Sequence, residues 1–391
     1  MPAPTSSLPS PSRTIRDRFR IFWARVSEGL ELEQLWDQFL SEAKASYGLY
    51  SRDVDWDEIH RQSAGAGARR IGRSAWALFQ AMLMKLSPAR RVLLLIAIAL
   101  VVFQLNFGWG THEVSINLAG LGAFILFLLL AVELADRVAM KRDLEIAREI
   151  QQRLVPETPP VVLGFDIAFA ARPQNTVAGD YYDAFLRQLQ DPSASNPLLL
   201  IVADVAGKSV PAALLMATFQ ASLRALSATR ATLPEVVAGL DRYARAHSMD
   251  GRRFTTAFLA QIHPQTHEIE YTNAGHNDPV LRRASGEIER LSTGGPPFGL
   301  PLFTEHEVIY ESGKLELRPG DLLLIFTDGL IEAVDERGQE FGELRLLRLI
   351  QSVPQERAAT TLERVMKEVS GFVGLARQHD DITCLVVKVD A

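Results

Sequence analysis

The sequence predicts an α+β fold, two antiparallel sheets sandwiched between helix layers, behind an all-α N-terminal region with two transmembrane helices. Three observations predict it. Two almost wholly apolar runs, at residues 92–109 and 114–134, stand close together in the first third of the chain. From about residue 161, strand-length apolar runs follow one another mostly through short turns, the pattern of antiparallel sheets. Four stretches with helical spacing, at residues 210–226, 233–247, 343–352 and 356–372, supply helices to cover the outer faces of those sheets.

Composition bounds the function. The 391 residues are 47% hydrophobic and 23% charged, which fits a globular protein with a membrane part. A formal net charge of -6 argues against a nucleic-acid binder, which would carry a basic balance or patch. The single cysteine, Cys384, excludes an intrachain disulfide and a multi-cysteine zinc site; its strand-like run reads as buried filler.

Taken in order, residues 1–12 carry four prolines and five Ser or Thr and read as a disordered tail. Residues 13–90 read as a cytoplasmic amphipathic helical region, on apolar positions such as Phe19, Phe22, Trp23, Val26 and Leu30. Residues 91–134 read as a transmembrane hairpin whose runs each approach the ~20 residues a span needs, with only Gly110-Thr111-His112-Glu113 between them. Seven basic and no acidic residues in 61–91, with Lys141 and Arg142 after the second run, predict both termini in the cytoplasm. Residues 135–160 read as a linker helix with Met140, Leu144, Ala147, Ile150 and Leu154 on one face, stopped by Pro156, Pro159 and Pro160. That face suits either packing on its own domain or a two-helix homodimer through 135–155. Residues 161–391 form the α+β domain, with strands expected at 165–171, 181–186, 198–203, 254–262, 268–273, 279–283, 321–326 and 382–389, and a polar loop at 191–197.

Four aspartates stand at the ends of apolar strands beside a glycine or a second aspartate: Asp180, Asp204, Asp328 and Asp380. Strand ends hold side chains rigidly at a sheet rim. Carboxylates converging there repel one another unless cations lie between them, and an all-oxygen set suits Mg²⁺ or Mn²⁺. Each motif alone is weak. Asp328-Gly329 is also a common hairpin turn, Asp380-Asp381 reads equally as a solvated turn, and Asp183, Tyr181 and Tyr182 read as strand residues.

The set in this order resembles the PPM family of metal-dependent Ser/Thr phosphatases (protein phosphatase 2C-like), in its SpoIIE/RsbU branch. The resemblance spans about residues 144–389. It includes Glu149-Ile150-Gln151-Gln152-Arg153-Leu154-Val155-Pro156, Asp204-Val205-Ala206-Gly207-Lys208, Asn273-Ala274-Gly275-His276-Asn277, Gly294-Gly295-Pro296-Pro297-Phe298-Gly299, Arg318-Pro319-Gly320-Asp321, Thr327-Asp328-Gly329 and Asp380-Asp381-Ile382-Thr383. It implies a four-layer αββα sandwich and two divalent metal ions, Mn²⁺ or Mg²⁺. By matching positions, Asp204 bridges both ions, Asp180 and the Val205 carbonyl serve one, Asp328 and Asp380 hold the other, and Asp381 shares that role. The implied partner is a phosphorylated protein substrate, a STAS-type anti-sigma-factor antagonist. Two positions depart from the family pattern: Ala178 and Ser209 stand where relatives often have glycine.

Lys208, His276 and Asn277 are further candidates for substrate contact. Lys208 reads as a phosphate guide or a solvated lysine, His276 as a loop brace or a proton donor to the leaving group. The 294–299 segment lacks the Lys-Ser/Thr of a nucleotide loop and reads as a rigid turn. Two rival functions remain at this point: a catalytically weak membrane scaffold that binds a phosphoprotein, and a metal-dependent nucleotidyl cyclase, for which purine- and triphosphate-reading residues are not found.

Overall fold

A computed structural model of the chain describes residues 67–102, 105–109, 112–116, 118–188, 196–248, 253–300 and 308–390. The expected tail at 1–12, the amphipathic stretch at 13–50 and most of the 191–197 loop lie outside the described residues. Chain contacts divide the protein into two units, Met1–Arg137 and Val138–Ala391.

The first unit contains α1 (Gly67–Lys85), α2 (Pro88–Val102), an antiparallel pair β1 (Leu105–Trp109) and β2 (His112–Ile116), and the start of α3 (Ala119–Gln152). Here the all-α expectation is corrected. The two apolar runs do not meet as helices across a four-residue loop, because their facing ends pair as strands, Trp109 opposite His112. Asn106 and Gly108 are weak helix formers, and Phe107, Trp109, Val114 and Ile116 favour extended backbone. The first run therefore yields a 15-residue helix, about 22 Å long and shorter than the ~30 Å hydrocarbon layer. The second runs unbroken into the expected linker as one 34-residue helix, which is long and apolar enough to cross a membrane. The two helices are antiparallel neighbours. Arg90 near the start of α2 reaches Glu133 at 3.3 Å and Asp136 at 2.6 Å. At Gly122 they approach so closely that a Cβ would lie 2.8 Å from the Ala97 carbonyl. Much of their apolar surface, including Leu93, Ile96, Phe124, Phe127 and Leu130, is exposed.

The second unit holds the end of α3 and two sheets. The first sheet runs β10 (Gly294–Gly295), β7 (Glu268–Ala274), β6 (Thr255–Ile262), β5 (Leu198–Val205), β4 (Tyr181–Leu186), with β11 (Gly313–Glu316) also on β7. The second runs β3 (Phe165–Arg172), β13 (Ile382–Val389), β12 (Leu322–Phe326), β8 (Val280–Arg282), β9 (Ile288–Arg290). Helices α4 (Val210–Ser227) and α5 (Leu233–Ala246) cover the first sheet; α7 (Glu343–Ser352) and α8 (Ala358–Val373) cover the second. The layers are thus α, β, β, α.

Strand β5 shows why. It alternates Leu198, Leu200 and Val202 toward the second sheet with Leu199, Ile201 and Ala203 toward α4 and α5. A strand buried on both faces reads as an unbroken apolar run. The inter-sheet core adds Phe258, Ile269, Ile167, Leu323 and Leu385. Each fully buried side chain of this size stabilises the fold by about 1.5–3 kcal/mol. Cys384 is buried in the layer under α7 and α8, and burial pushes its thiol well up, so it is inert filler. The sequence reading lacks β9, β10 and β11, runs of two to four residues with no periodicity of their own.

Candidate metal centre

All four expected aspartates stand at one rim, and the sheet order explains it. Asp204 is the penultimate residue of β5, and Asp180 immediately precedes β4, its neighbour. Asp328 opens the short helix α6 (Asp328–Ile331) just after β12, and Asp380 and Asp381 immediately precede β13, the neighbour of β12. Asp328-Gly329 is therefore a helix start and not a hairpin turn. Hydrogen bonds close the gap between the sheets. Thr327 Oγ1 donates to Asp180 Oδ2 at 2.9 Å. The Gln174 and Gly179 amides donate to Asp381 Oδ1 at 2.6 Å and Oδ2 at 2.7 Å.

The electrostatics record the convergence. Asp180 is 6% exposed, and burial, then the charges of Asp204 and Asp381, push its carboxyl well up; the hydroxyls of Thr383 and Thr327 oppose this. Burial, then Asp328, Asp380 and Asp381 in turn, raise Asp204 to about 7, while a hydrogen bond with Asp180 works the other way. Asp328 is raised by burial and by Asp380. Asp204 thus feels every other carboxylate of the set. Lys208 answers part of the charge: its Nζ is 2.9 Å from Asp380 and donates to the His379 carbonyl at 2.6 Å.

Among the described residues, no three His, Cys, Asp or Glu side chains are gathered closely enough to hold an ion as they stand. The carboxylates nevertheless share electrostatic reach. The donor chemistry fits a hard divalent cation: carboxylate oxygens that raise one another's pKa, with no sulfur or imidazole among them. Both oxygens of Asp381 accept backbone N–H groups, which makes it first a brace for residues 174–179.

Local backbone explains the small residues here. A Cβ on Gly179 would lie 3.1 Å from the Val205 carbonyl, a tight contact that glycine avoids, whereas Ala178 meets Gln151 through its backbone. Gly207 has φ 117°, and a Cβ there would strike the Arg253 guanidinium, which donates to the Ala206 carbonyl at 3.0 Å. Ser209 has φ 65°, a left-handed conformation that favours glycine and costs a side chain about 1–3 kcal/mol.

His276 and Asn277 belong to a turn that braces itself. Asn273 accepts from the His276 amide at 2.7 Å, and its Nδ2 donates to the His276 carbonyl and to Asp278 at 3.0 Å each. His276 is buried, its Nδ1 3.0 Å from Thr256 Oγ1, and burial lowers its pKa to about 4. The ring is enclosed and braces the turn through its contact with Thr256. Asn277 is half-buried beside it. Asp183 is likewise enclosed, accepting from Tyr181 at 2.6 Å and from Arg224 at 2.6 Å.

The His276 shift has a measurable consequence. Its folded pKa lies below the unfolded value of about 6.5, so the unfolded chain binds the extra proton. Stability from this ring is fully present above about pH 6.5 and is lost as pH falls toward 4, by about 3 kcal/mol. We expect His276→Asn to remove that loss. Urea unfolding of both proteins at pH 7 and pH 4.5 checks it; an unchanged pH dependence would show that the ring charges freely in the fold.

The braces Gln151, Gln174, Thr327, Thr383 and Arg253 are absent from the sequence reading as functional residues. Gln151, Thr327 and Thr383 stand inside the motifs quoted above, but the partners of all five lie far off in the chain, so no local pattern reveals what they hold.

Comparison with known proteins adds the context. The family model of stage II sporulation protein E (SpoIIE) matches residues 194–390. Protein IcfG of Synechocystis sp. is 26% identical over 317 residues, covering 73% of this chain and 48% of that protein. The phosphoserine phosphatase RsbU of Bacillus subtilis is 27% identical over 252 residues, covering 64% of this chain and 70% of RsbU. The chain thus spans about half the length of IcfG. Among solved structures, the SiaA-PP2C domain of Pseudomonas aeruginosa superposes with a TM-score of 0.56 at 19% identity, over 66% of this chain and 99% of that domain, a likeness of fold.

Proposed function

The chain belongs to the SpoIIE family, and from that premise we propose that it is a membrane-anchored, metal-dependent protein serine/threonine phosphatase. The observation that carries the reading is the convergence of Asp180, Asp204, Asp328 and Asp380 at one rim, with Asp204 electrostatically coupled to the others. Similarity to the phosphoserine phosphatase RsbU supports the substrate class.

In this reading Asp204 would help hold both ions, Asp180 and the Val205 carbonyl would help hold one, and Asp328 and Asp380 would help hold the other. Two divalent ions bound there, manganese or magnesium, supply hydroxide near neutral pH and neutralise phosphate oxygens. The chain's own work is geometry. Thr327 orients Asp180 and is itself held by the Thr383 amide, Asp381 fixes residues 174–179, and Lys208 at the half-exposed rim offers an ammonium to an incoming phosphate. No side-chain nucleophile is needed. The physiological substrate in this reading is a phosphorylated STAS-type antagonist of an anti-sigma factor, the partner class implied by the family resemblance.

Membrane attachment rests on the exposed apolar surfaces of α2 and α3 and on the basic flank before α2. Both termini are then cytoplasmic, with β1 and β2 at the far interface, since unpaired strand edges are excluded from hydrocarbon. Exposed Val138, Met140, Ile146 and Ile150 on α3 support a homodimer through 135–155. A catalytically weak scaffold is the second reading, favoured by the existing pairing of Asp380 with Lys208.

One preparation tests both parts. Membranes from cells producing the full chain should release phosphate from a phosphoserine peptide with Mn²⁺ and stop with EDTA. An aliquot washed at alkaline pH should retain the chain. No release ends the hydrolytic reading; recovery of the chain in the wash ends the anchor.

A further inference from the structure

We infer that Gln151 is a positioning residue: its side-chain amide, reaching from the linker helix, fixes the backbone that carries Asp180 and thereby sets metal affinity. The inference rests on the metal-site reading above and adds the residue through which α3 acts on it.

The geometry is specific. Gln151 Nε2 donates to the Ala178 carbonyl at 2.7 Å, and the Ala178 amide donates to Gln151 Oε1 at 2.9 Å. One side chain thus makes the pair of hydrogen bonds that a neighbouring strand residue would make. Ala178 has only a methyl group, Gly179 has no side chain, and Asp180 follows at once. On the opposite side the same segment is held by Asp381, through the Gln174 and Gly179 amides. The approach to Asp180 is therefore gripped between the helix and the other sheet.

Packing around this grip is loose. A half-open cavity of about 160 Å³ lies under the helix, lined by Arg148, Gln152, Val155, Pro173 and Met216 and reaching Asp180. A helix seated over a cavity can shift without breaking a core. Any shift would draw on the two Gln151 hydrogen bonds, two residues before the buried carboxylate.

The alternative is that Gln151 merely pins the helix to its domain. The test uses the full chain in detergent and titrates manganese calorimetrically, alongside phosphate release. Gln151→Met keeps length and deletes both hydrogen bonds. Gln151→Glu keeps the acceptor and sets an oxygen against the Ala178 carbonyl. Gln152→Met, its neighbour on the helix, is the control. We expect Gln151→Met to bind manganese about tenfold more weakly, the order expected for two lost hydrogen bonds, and Gln151→Glu to be weakened similarly by one lost bond and the repulsion between two oxygens, with kcat restored at saturating metal and melting in EDTA nearly unchanged. The control should match wild type. Wild-type affinity in both Gln151 variants, or a kcat loss that excess manganese does not restore, overturns the inference. A wild-type chain that binds manganese but hydrolyses nothing overturns the phosphatase reading and leaves this comparison intact. A wild-type chain that binds no manganese overturns both.

Discussion

Replacing Asp204 by asparagine is expected to lower manganese-dependent phosphate release by at least about 10³-fold, roughly 4 kcal/mol of barrier, while making the metal-free protein more stable. The two halves come from the same physics. Asp204 is half-buried, and its partial burial, then the charges of Asp328, Asp380 and Asp381, lift its pKa to about 7. Its folded pKa is thus above the unfolded value of about 3.9. Such a group helps stability most below about pH 4, and the benefit is lost as pH rises to about 7. Above that, without metal, the charged carboxylate costs a few kcal/mol. Asparagine keeps the shape and removes the charge, so the cost in EDTA disappears. With manganese the order should reverse, because the wild type gains stability from the ion and the variant does not. Melting curves at pH 8, with EDTA and with manganese, read the stabilities; phosphate release reads the rate. A variant less stable than wild type in EDTA would make Asp204 a structural residue and remove the metal argument at its centre.

The same balance explains what could be read from sequence. Tyr181–Leu186, Ile382–Val389 and Glu343–Ser352 were legible to the residue, because burial on one or two faces imprints a run or a period. The aspartates were legible because each stands at or beside the end of such a strand. The pair β1–β2 was hidden inside long apolar runs, where hydropathy cannot tell a helix end from a strand. What holds the site together was not legible at all. Thr327 meets Asp180 across 147 residues, and Gln174 meets Asp381 across 207. Single hydrogen bonds at such separations leave no local pattern. His276 could be read as a loop brace from its Asn/Gly turn, but the enclosure of its ring shows only in the packed turn around Asn273.

Gly329→Ala should test the closeness of two of those strand ends. Gly329 follows Asp328 at the start of α6, and a Cβ there would lie 2.0 Å from the Asp381 carbonyl oxygen and 3.3 Å from Asp380 Cβ. The obstacle is backbone, so no side-chain rotation relieves it. The Asp328 segment and the Asp380–Asp381 segment must part, and these carry the two carboxylates assigned to one ion. Overpacking of this kind costs about 1–3 kcal/mol of stability. A displacement near 1 Å in a catalytic arrangement costs about 10²-fold in rate, and added manganese should restore only part of it. Gly371→Ala supplies the contrast, because it lies within α8 with nothing within 4 Å of the new methyl. That change should leave the rate alone and, by helix propensity, raise stability by up to about 1 kcal/mol. If Gly329→Ala instead melts and turns over like wild type, Asp328 and Asp380 do not approach as described, and one ion cannot take both.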